Sequence, residues 1–203
     1  MSLRHQPKAA LINDFSGFGR CSVTVALPII SQMKVQCCPV LTSVFSNHTG
    51  YPSFYFDDYT EKMPSYIAEW KKLNLHFECI AAGFLGSERQ IEIVKNFIRD
   101  FKDETTKVLI DPVMGDHGRT YQTFTPEMCS QMKQLAHFAD ILTPNLTEAC
   151  ILTDTPYHDG HWQMSELSEL ALSLIAMGPS KVVITGVSMG TFIGNVICES
   201  GGT

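Results

Sequence analysis

Asp111, Asp116 and Glu148 are the side chains whose type and setting could do chemistry. An apolar, β-branched run, Val108-Leu109-Ile110, ends in Asp111-Pro112 and continues through Val113-Met114-Gly115 to Asp116. Downstream, Ala139-Asp140-Ile141-Leu142 leads directly into Thr143-Pro144-Asn145-Leu146-Thr147-Glu148-Ala149. Proline sets the turn and favours the first positions of a helix, which predicts Glu148 in a first helical turn at the carboxyl end of the preceding strand. In open parallel α/β sheets that edge is where ligands bind. Carboxylates held there can organise Mg²⁺ and its waters beside a phosphate, because Mg²⁺ needs only one or two carboxylates besides phosphate and water oxygens. Asp116 also has a plainer reading, as a cap of the turn into His117-Gly118-Arg119.

Two further stretches are polar where a core would not be. Phe45-Ser46-Asn47-His48-Thr49-Gly50-Tyr51 carries side chains that would each need a buried partner, so it reads as a functional loop. Asp14-Phe15-Ser16-Gly17-Phe18-Gly19 follows a first strand and precedes a helix, but is neither a G-x-x-x-x-G-K-[ST] loop nor a full G-x-G-x-x-G fingerprint. The seven cysteines, Cys21, Cys37, Cys38, Cys79, Cys129, Cys150 and Cys198, show no C-x-x-C spacing and read as reduced structural thiols. His158-Asp159-Gly160-His161 reads as a solvated turn rather than a metal site.

The elements that must position these groups alternate along the chain. Strands are predicted at Lys8–Asn13, Val35–Val40, Cys79–Gly83, Lys107–Asp111, Asp140–Leu142 and Lys181–Thr185. Helices are predicted from Cys21 to Met33 with a bend at Pro28, from Tyr59 to Leu73, from an N-cap at Ser87 to Asp103, from Thr125-Pro126-Glu127 to Ala136, from Thr147, and from Ser165 to Met177. A hairpin is expected at Met189-Gly190, before Thr191–Cys198. Such alternation implies an α/β fold in which a mainly parallel sheet carries helices on both faces.

Bulk composition narrows the class without naming it. A chain of 203 residues, 44% hydrophobic and 18% charged, suffices for one α/β domain over residues 1–203. A formal charge of −6 argues against nucleic-acid or anionic-membrane partners. No apolar run approaches the roughly 20 residues of a spanning helix, and Met1-Ser2-Leu3-Arg4-His5 lacks a signal-peptide core, so a cytoplasmic location is expected.

Phe45-Ser46-Asn47-His48-Thr49-Gly50-Tyr51, Asp111-Pro112-Val113-Met114-Gly115-Asp116 and Thr143-Pro144-Asn145-x-x-Glu148-Ala149, in that order, resemble the pyridoxal kinases of the ribokinase-like superfamily. The likeness extends from near Lys8 to the chain end and includes Met177-Gly178-Pro179-x-x-Val182-Val183-Ile184-Thr185. It implies a ribokinase-like three-layer sandwich and ATP-dependent phosphorylation of the 5'-hydroxyl of pyridoxal or a related B6 vitamer, with Mg²⁺ and a monovalent cation as further cofactors. Hydroxymethylpyrimidine kinase action and a non-catalytic binding protein are the alternatives. By resemblance, Asp14, Cys21, Phe45, His48, Thr49, Tyr51 and Phe84 surround the substrate ring. Asp111, Tyr121, Asn145, Glu148, Thr185 and Gly186 then serve the nucleotide, with Asp111, Asp116 and Glu148 toward the metal. Asp14 departs from the small polar residue common in the family. The Gly-Thr-Gly-Asp segment that supplies the family's anion hole and catalytic base is expected beyond Thr203, so the chain is expected to lack the C-terminal catalytic portion. Gly201-Gly202-Thr203 offers no aspartate in its place. A homodimer is expected by the same analogy.

Overall fold

The computed structural model describes residues 6–201; the chain start Met1–His5 and the last two residues, Gly202-Thr203, lie outside it. The chain divides into two compact units, one ending at Lys107 and the other beginning at Val108.

In the first unit the strands are β1 (Lys8–Ser16), β2 (Gln36–Phe45), β3 (Phe56–Asp58) and β4 (Cys79–Ala82), in the order β4-β1-β2-β3. β1 runs parallel to β2 and β4, and β3 closes the edge antiparallel to β2. The helices are α1 (Ser22–Gln32), α2 (Met63–Lys72) and α3 (Glu88–Phe101). The step from β1 to β2 and the return to β4 run in opposite directions, so right-handed crossovers place α1 and α2 on opposite faces.

α3 shows most plainly why its residues form a helix. Ser87 caps its start by accepting from Gln90 N at 3.3 Å, Glu88 and Arg99 complement the helix dipole, and Ile91, Val94, Phe97, Ile98 and Phe101 recur on one buried face. That face builds an aromatic cluster: Phe97 lies 4.5 Å from Phe101 and 6.1 Å from Phe77, and Trp70 of α2 lies 5.3 Å from Phe77, centroid to centroid.

β1 and β2 are longer than the polar residues in their sequences suggest. Asp14 lies inside β1, not in the turn after it, and Phe45 is the last residue of β2. The pairing slips between them. Asn13 pairs with Leu41 but Phe15 pairs with Val44, so Asp14 alone opposes the two residues Thr42 and Ser43. This bulge carries a polar side chain inside a strand, a device common beside binding sites.

The second unit contains β5 (Lys107–Ile110), β8 (Ile141–Leu142), β9 (Lys181–Met189) and β10 (Phe192–Glu199), in the order β10-β9-β8-β5, and a separate ribbon of β6 (Gly115–Asp116) and β7 (Arg119–Thr120). β5, β8 and β9 are parallel and β10 is antiparallel, turning back at Gly190 with φ +67° as the Met189-Gly190 reading requires. Its helices are α4 (Pro126–Ala136), α5 (Leu146–Thr153) and α6 (Met164–Ile175). Val108, Ile110, Leu142, Val182 and Ile184 are the buried alternate residues of its strands.

The seven cysteines are all free, with Cys150 and Cys198 buried and the rest half-buried, and burial pushes the Cys150 thiol up to about 11. His158 stacks on Trp162 at 4.1 Å and faces Glu166 at 3.4 Å, so the turn is packed against the start of α6. Among the described residues no helix is long and apolar enough to cross a membrane.

Candidate functional site

The second unit assembles its polar site around the start of α5. Asn145 is the N-cap: its Oδ1 accepts from Glu148 N at 3.0 Å, and Glu148 Oε2 accepts in return from Asn145 N at 2.8 Å. The other Glu148 oxygen, Oε1, accepts from Met114 N at 3.1 Å. The carboxylate therefore ties the turn after β5 to the helix start, across 34 residues of sequence. Asn145 Nδ2 donates to Gly115 O at 2.8 Å, so this side chain is committed to the scaffold on both of its polar atoms. Thr143 Oγ1 is likewise within reach of Ile110 O, at 3.4 Å.

Burial governs the electrostatics here. Glu148 is 3% exposed, and desolvation pushes its carboxyl up to about 8, with the charge of Asp111 adding to the rise and the backbone donors opposing it. Desolvation alone pushes Asp111 up to about 6. Two desolvated carboxyls within each other's field fit a divalent cation, since a cation restores the charge that burial disfavours. Both Glu148 oxygens already accept a backbone N–H, which suits contact with the cation through water.

The expected three-carboxylate cage does not form. Among the described residues no three His, Cys, Asp or Glu side chains converge to hold a metal ion. Asp116 is exposed; its Oδ1 accepts from His117 N at 2.8 Å and its Oδ2 lies 3.5 Å from His117 Nε2, so it caps its own turn. Its charge is still felt by Tyr121. Burial and the charges of Glu148, Asp116 and Asp111 together raise the Tyr121 phenol above its ordinary value. Tyr121 is half-exposed and is held by its N–H donating to Met114 O at 2.9 Å.

Thr185 and Gly186 do not end a strand. β9 continues to Met189, and the two residues form a bulge opposite Asn195, because Ile184 pairs with Val196 while Val187 pairs with Gly194. Gly186 has φ +69° and donates its N–H to Asn195 Oδ1 at 3.2 Å; Thr185 N donates to Pro144 O at 2.8 Å. The bulge thus docks β9 beside the start of α5.

Sequence reasoning missed the groups that hold the β6–β7 ribbon. Gly118 N donates to Thr147 Oγ1 at 2.9 Å, and the Tyr157 ring lies against the glycine, 2.5 Å from where a Cβ would sit. The one available signal was Gly118 itself, with φ +72°. Gly118→Ala is expected to lower stability by about 1–3 kcal/mol, part left-handed strain and part clash. Tyr157→Ala in the same chain should remove the clash, leaving a favourable coupling between the two changes in denaturant melts. Strict additivity would mean that the ring does not hold the ribbon.

Asp14, Cys21, Phe45, His48, Thr49, Tyr51 and Phe84 all belong to the first unit. Gly17 N donates to Phe45 O at 3.0 Å, Phe18 N to Ser46 O at 3.1 Å, and His48 N to Phe18 O at 2.8 Å, so the loops after β1 and β2 are zipped together. Phe45 lies 6.1 Å from Phe84 and 4.9 Å from Phe56, and Phe18 lies 5.5 Å from Tyr51. Phe84 N donates to Asn13 Oδ1 at 3.0 Å, which fixes the start of that segment against β1. His48 Nδ1 accepts from Gly50 N at 3.0 Å, and Cys21 is the half-buried N-cap of α1. Thr49 and Tyr51 are exposed. An open groove of about 380 Å³, lined by Gly17, Phe18, Gly19, Arg20 and Thr24, adjoins the same loop.

Residues 27–202 match the phosphomethylpyrimidine kinase family. A pyridoxal kinase of Arabidopsis thaliana is 31% identical over 161 residues, 75% of this chain and 49% of that protein. The chain spans about half the length of the curated relatives it matches. A Bacteroides thetaiotaomicron protein assigned as a phosphomethylpyrimidine kinase superimposes with a TM-score of 0.93 at 45% identity, over 98% of this chain and 69% of that one. Its orthorhombic crystal form, with pyridoxal, superimposes with a TM-score of 0.88 at 43% identity, over 96% of this chain and 73% of that one. A pyridoxal kinase from Lactobacillus plantarum, 28% identical, gives a TM-score of 0.88 over 98% of this chain and 70% of its own. The mainly parallel sheet with its helices is the ribokinase-like fold of these structures.

Proposed function

We propose, from the premise that this chain belongs to the phosphomethylpyrimidine kinase family, that it serves the phosphorylation of pyridoxal at its 5'-hydroxyl, with ATP as the phosphate donor. The observation that carries this reading is the relative crystallised with pyridoxal, 43% identical over 96% of this chain. Within the first unit, Phe45 and Phe84 offer the apolar faces that a flat pyridine ring requires. In the second unit, the positive end of the α5 dipole favours an anionic phosphate nearby, while the capping box keeps the N–H groups of Asn145 and Glu148 within the scaffold. Asp111 and Glu148 there would hold Mg²⁺, directly or through water, and a bound Mg²⁺ supplies charge neutralisation to the phosphates. By the family resemblance, Tyr121 would cover them. Transfer of a phosphoryl group asks for positioning and neutralised charge more than for covalent chemistry, and these residues supply both.

Phosphorylation of hydroxymethylpyrimidine is the second reading, favoured by the family match itself. Parallel assays with ATP and Mg²⁺ on the full gene product decide between them. A kcat/KM at least tenfold higher for pyridoxal, ~1.4 kcal/mol of transition-state binding, is expected. A higher value for the pyrimidine would overturn the assignment.

A further inference from the structure

We propose that Asp14 determines ring specificity: its carboxylate takes the protonated ring nitrogen of the substrate, so the site selects a cationic pyridine. This rests on the pyridoxal reading above and adds to it the charge state of the ring that is bound.

Asp14 is 5% exposed, in the bulge where β1 opposes Thr42 and Ser43. Its Oδ2 accepts from Ser16 Oγ at 3.0 Å; among the described residues Oδ1 has no hydrogen-bond partner and is not fully closed off from solvent, and no ion pair involves this carboxylate. Burying a carboxylate without a compensating charge is costly, and native structures keep such groups paired or directed at a ligand. The surroundings repeat the pattern. Among the described residues the hydroxyls of Thr42 and Ser43 are buried without a hydrogen-bond partner, an unusual pair beside one bulge.

The neighbours say what kind of group would satisfy it. Ser16 pairs in register with Phe45, and Asn13, the residue before Asp14, accepts from Phe84 N. The acid therefore sits between the two segments that carry the aromatic rings. A flat cation suits that setting, held by charge at its edge and by ring faces on its sides. In pyridoxal the hydroxymethyl, aldehyde and phenol groups cannot bring a positive charge. The ring nitrogen can, as N–H⁺, and it can donate that hydrogen to Oδ1.

Ligand-observed NMR titrations of the full gene product, with pyridoxal and with its ring-carbon analogue 1-deazapyridoxal, test the assignment beside Asp14→Asn. Wild type is expected to prefer pyridoxal by roughly 10- to 100-fold, the range for a hydrogen bond to a charged group, and the variant to lose that preference. Melting the ligand-free proteins adds an independent reading. Oδ1 has no protein partner to lose, so the melting temperature of Asp14→Asn should stay equal to or above that of wild type. A variant that keeps the preference, or one that loses stability in step with affinity, overturns the role given to Asp14. Equal binding of both rings by wild type overturns it too and leaves the pyridoxal reading standing; wild type that binds neither ring removes both.

Discussion

Glu148→Gln in the full gene product is expected to lower MgATP-dependent phosphorylation of pyridoxal on the order of 10²-fold or more, the usual consequence of removing an electrostatic contact to a transition state. Two losses combine in this variant. The negative charge disappears, and the amide, with one acceptor oxygen, cannot accept from both Asn145 N and Met114 N as the carboxylate does. The second loss also weakens the cap of α5, by about 1 kcal/mol. Asp111→Asn separates the two, because no capping bond depends on Asp111 and desolvation is the cause of its raised pKa. It should lose turnover to a similar extent without loss of fold stability, and both variants should leave pyridoxal binding nearly intact. Steady-state kinetics, pyridoxal titration and denaturant melts on both variants check this. Turnover at the wild-type level in both would assign these carboxylates to structure alone.

Phe97→Ala should be the most damaging single truncation in the first unit, at about 3–5 kcal/mol. Phe97 is 1% exposed, and its ring meets those of Phe101, Phe77 and Trp70 at centroid distances of 4.5, 6.1 and 6.2 Å. Removing it leaves a void lined by three rings, which cannot close without shifting α2 or α3. Against a total stability of roughly 5–15 kcal/mol for a domain, such a loss moves the urea midpoint far to lower concentration. Phe45→Ala offers the contrast: Phe45 is 7% exposed at the end of β2, and its loss should fall more on ligand binding than on the melt. A loss below about 1 kcal/mol for Phe97→Ala would mean that the cluster collapses around the gap.

The sequence by itself determined what depends on a few neighbouring residues. Ser87 and Thr125-Pro126 start helices because a side-chain oxygen and a fixed φ act within one turn. Glu148 was placed in the first turn of α5 for the same reason, and Asn145 and Glu148 close a capping box there. The buried stripe of α3 and the reversal at Gly190 are equally local. The family resemblance rests on similar short runs, so the ribokinase-like fold is legible in the sequence.

Tertiary structure decided whatever depends on register between segments far apart in sequence. That Asp14 would face Thr42 and Ser43 across a bulge, inside a strand and buried, follows from a slip in β1–β2 pairing that neither strand encodes alone. Thr185 and Gly186 became a bulge within β9 because β10 pairs past them, offset at Asn195. Asp116 turned to its own His117 while Glu148 reached Met114, so Asp111 and Glu148 came within each other's field, half-buried and buried, and Asp116 remained in solvent. Burial and hydrogen-bond partnership are properties of pairs, set only when the segments pack, and they fix which of several carboxylates is desolvated.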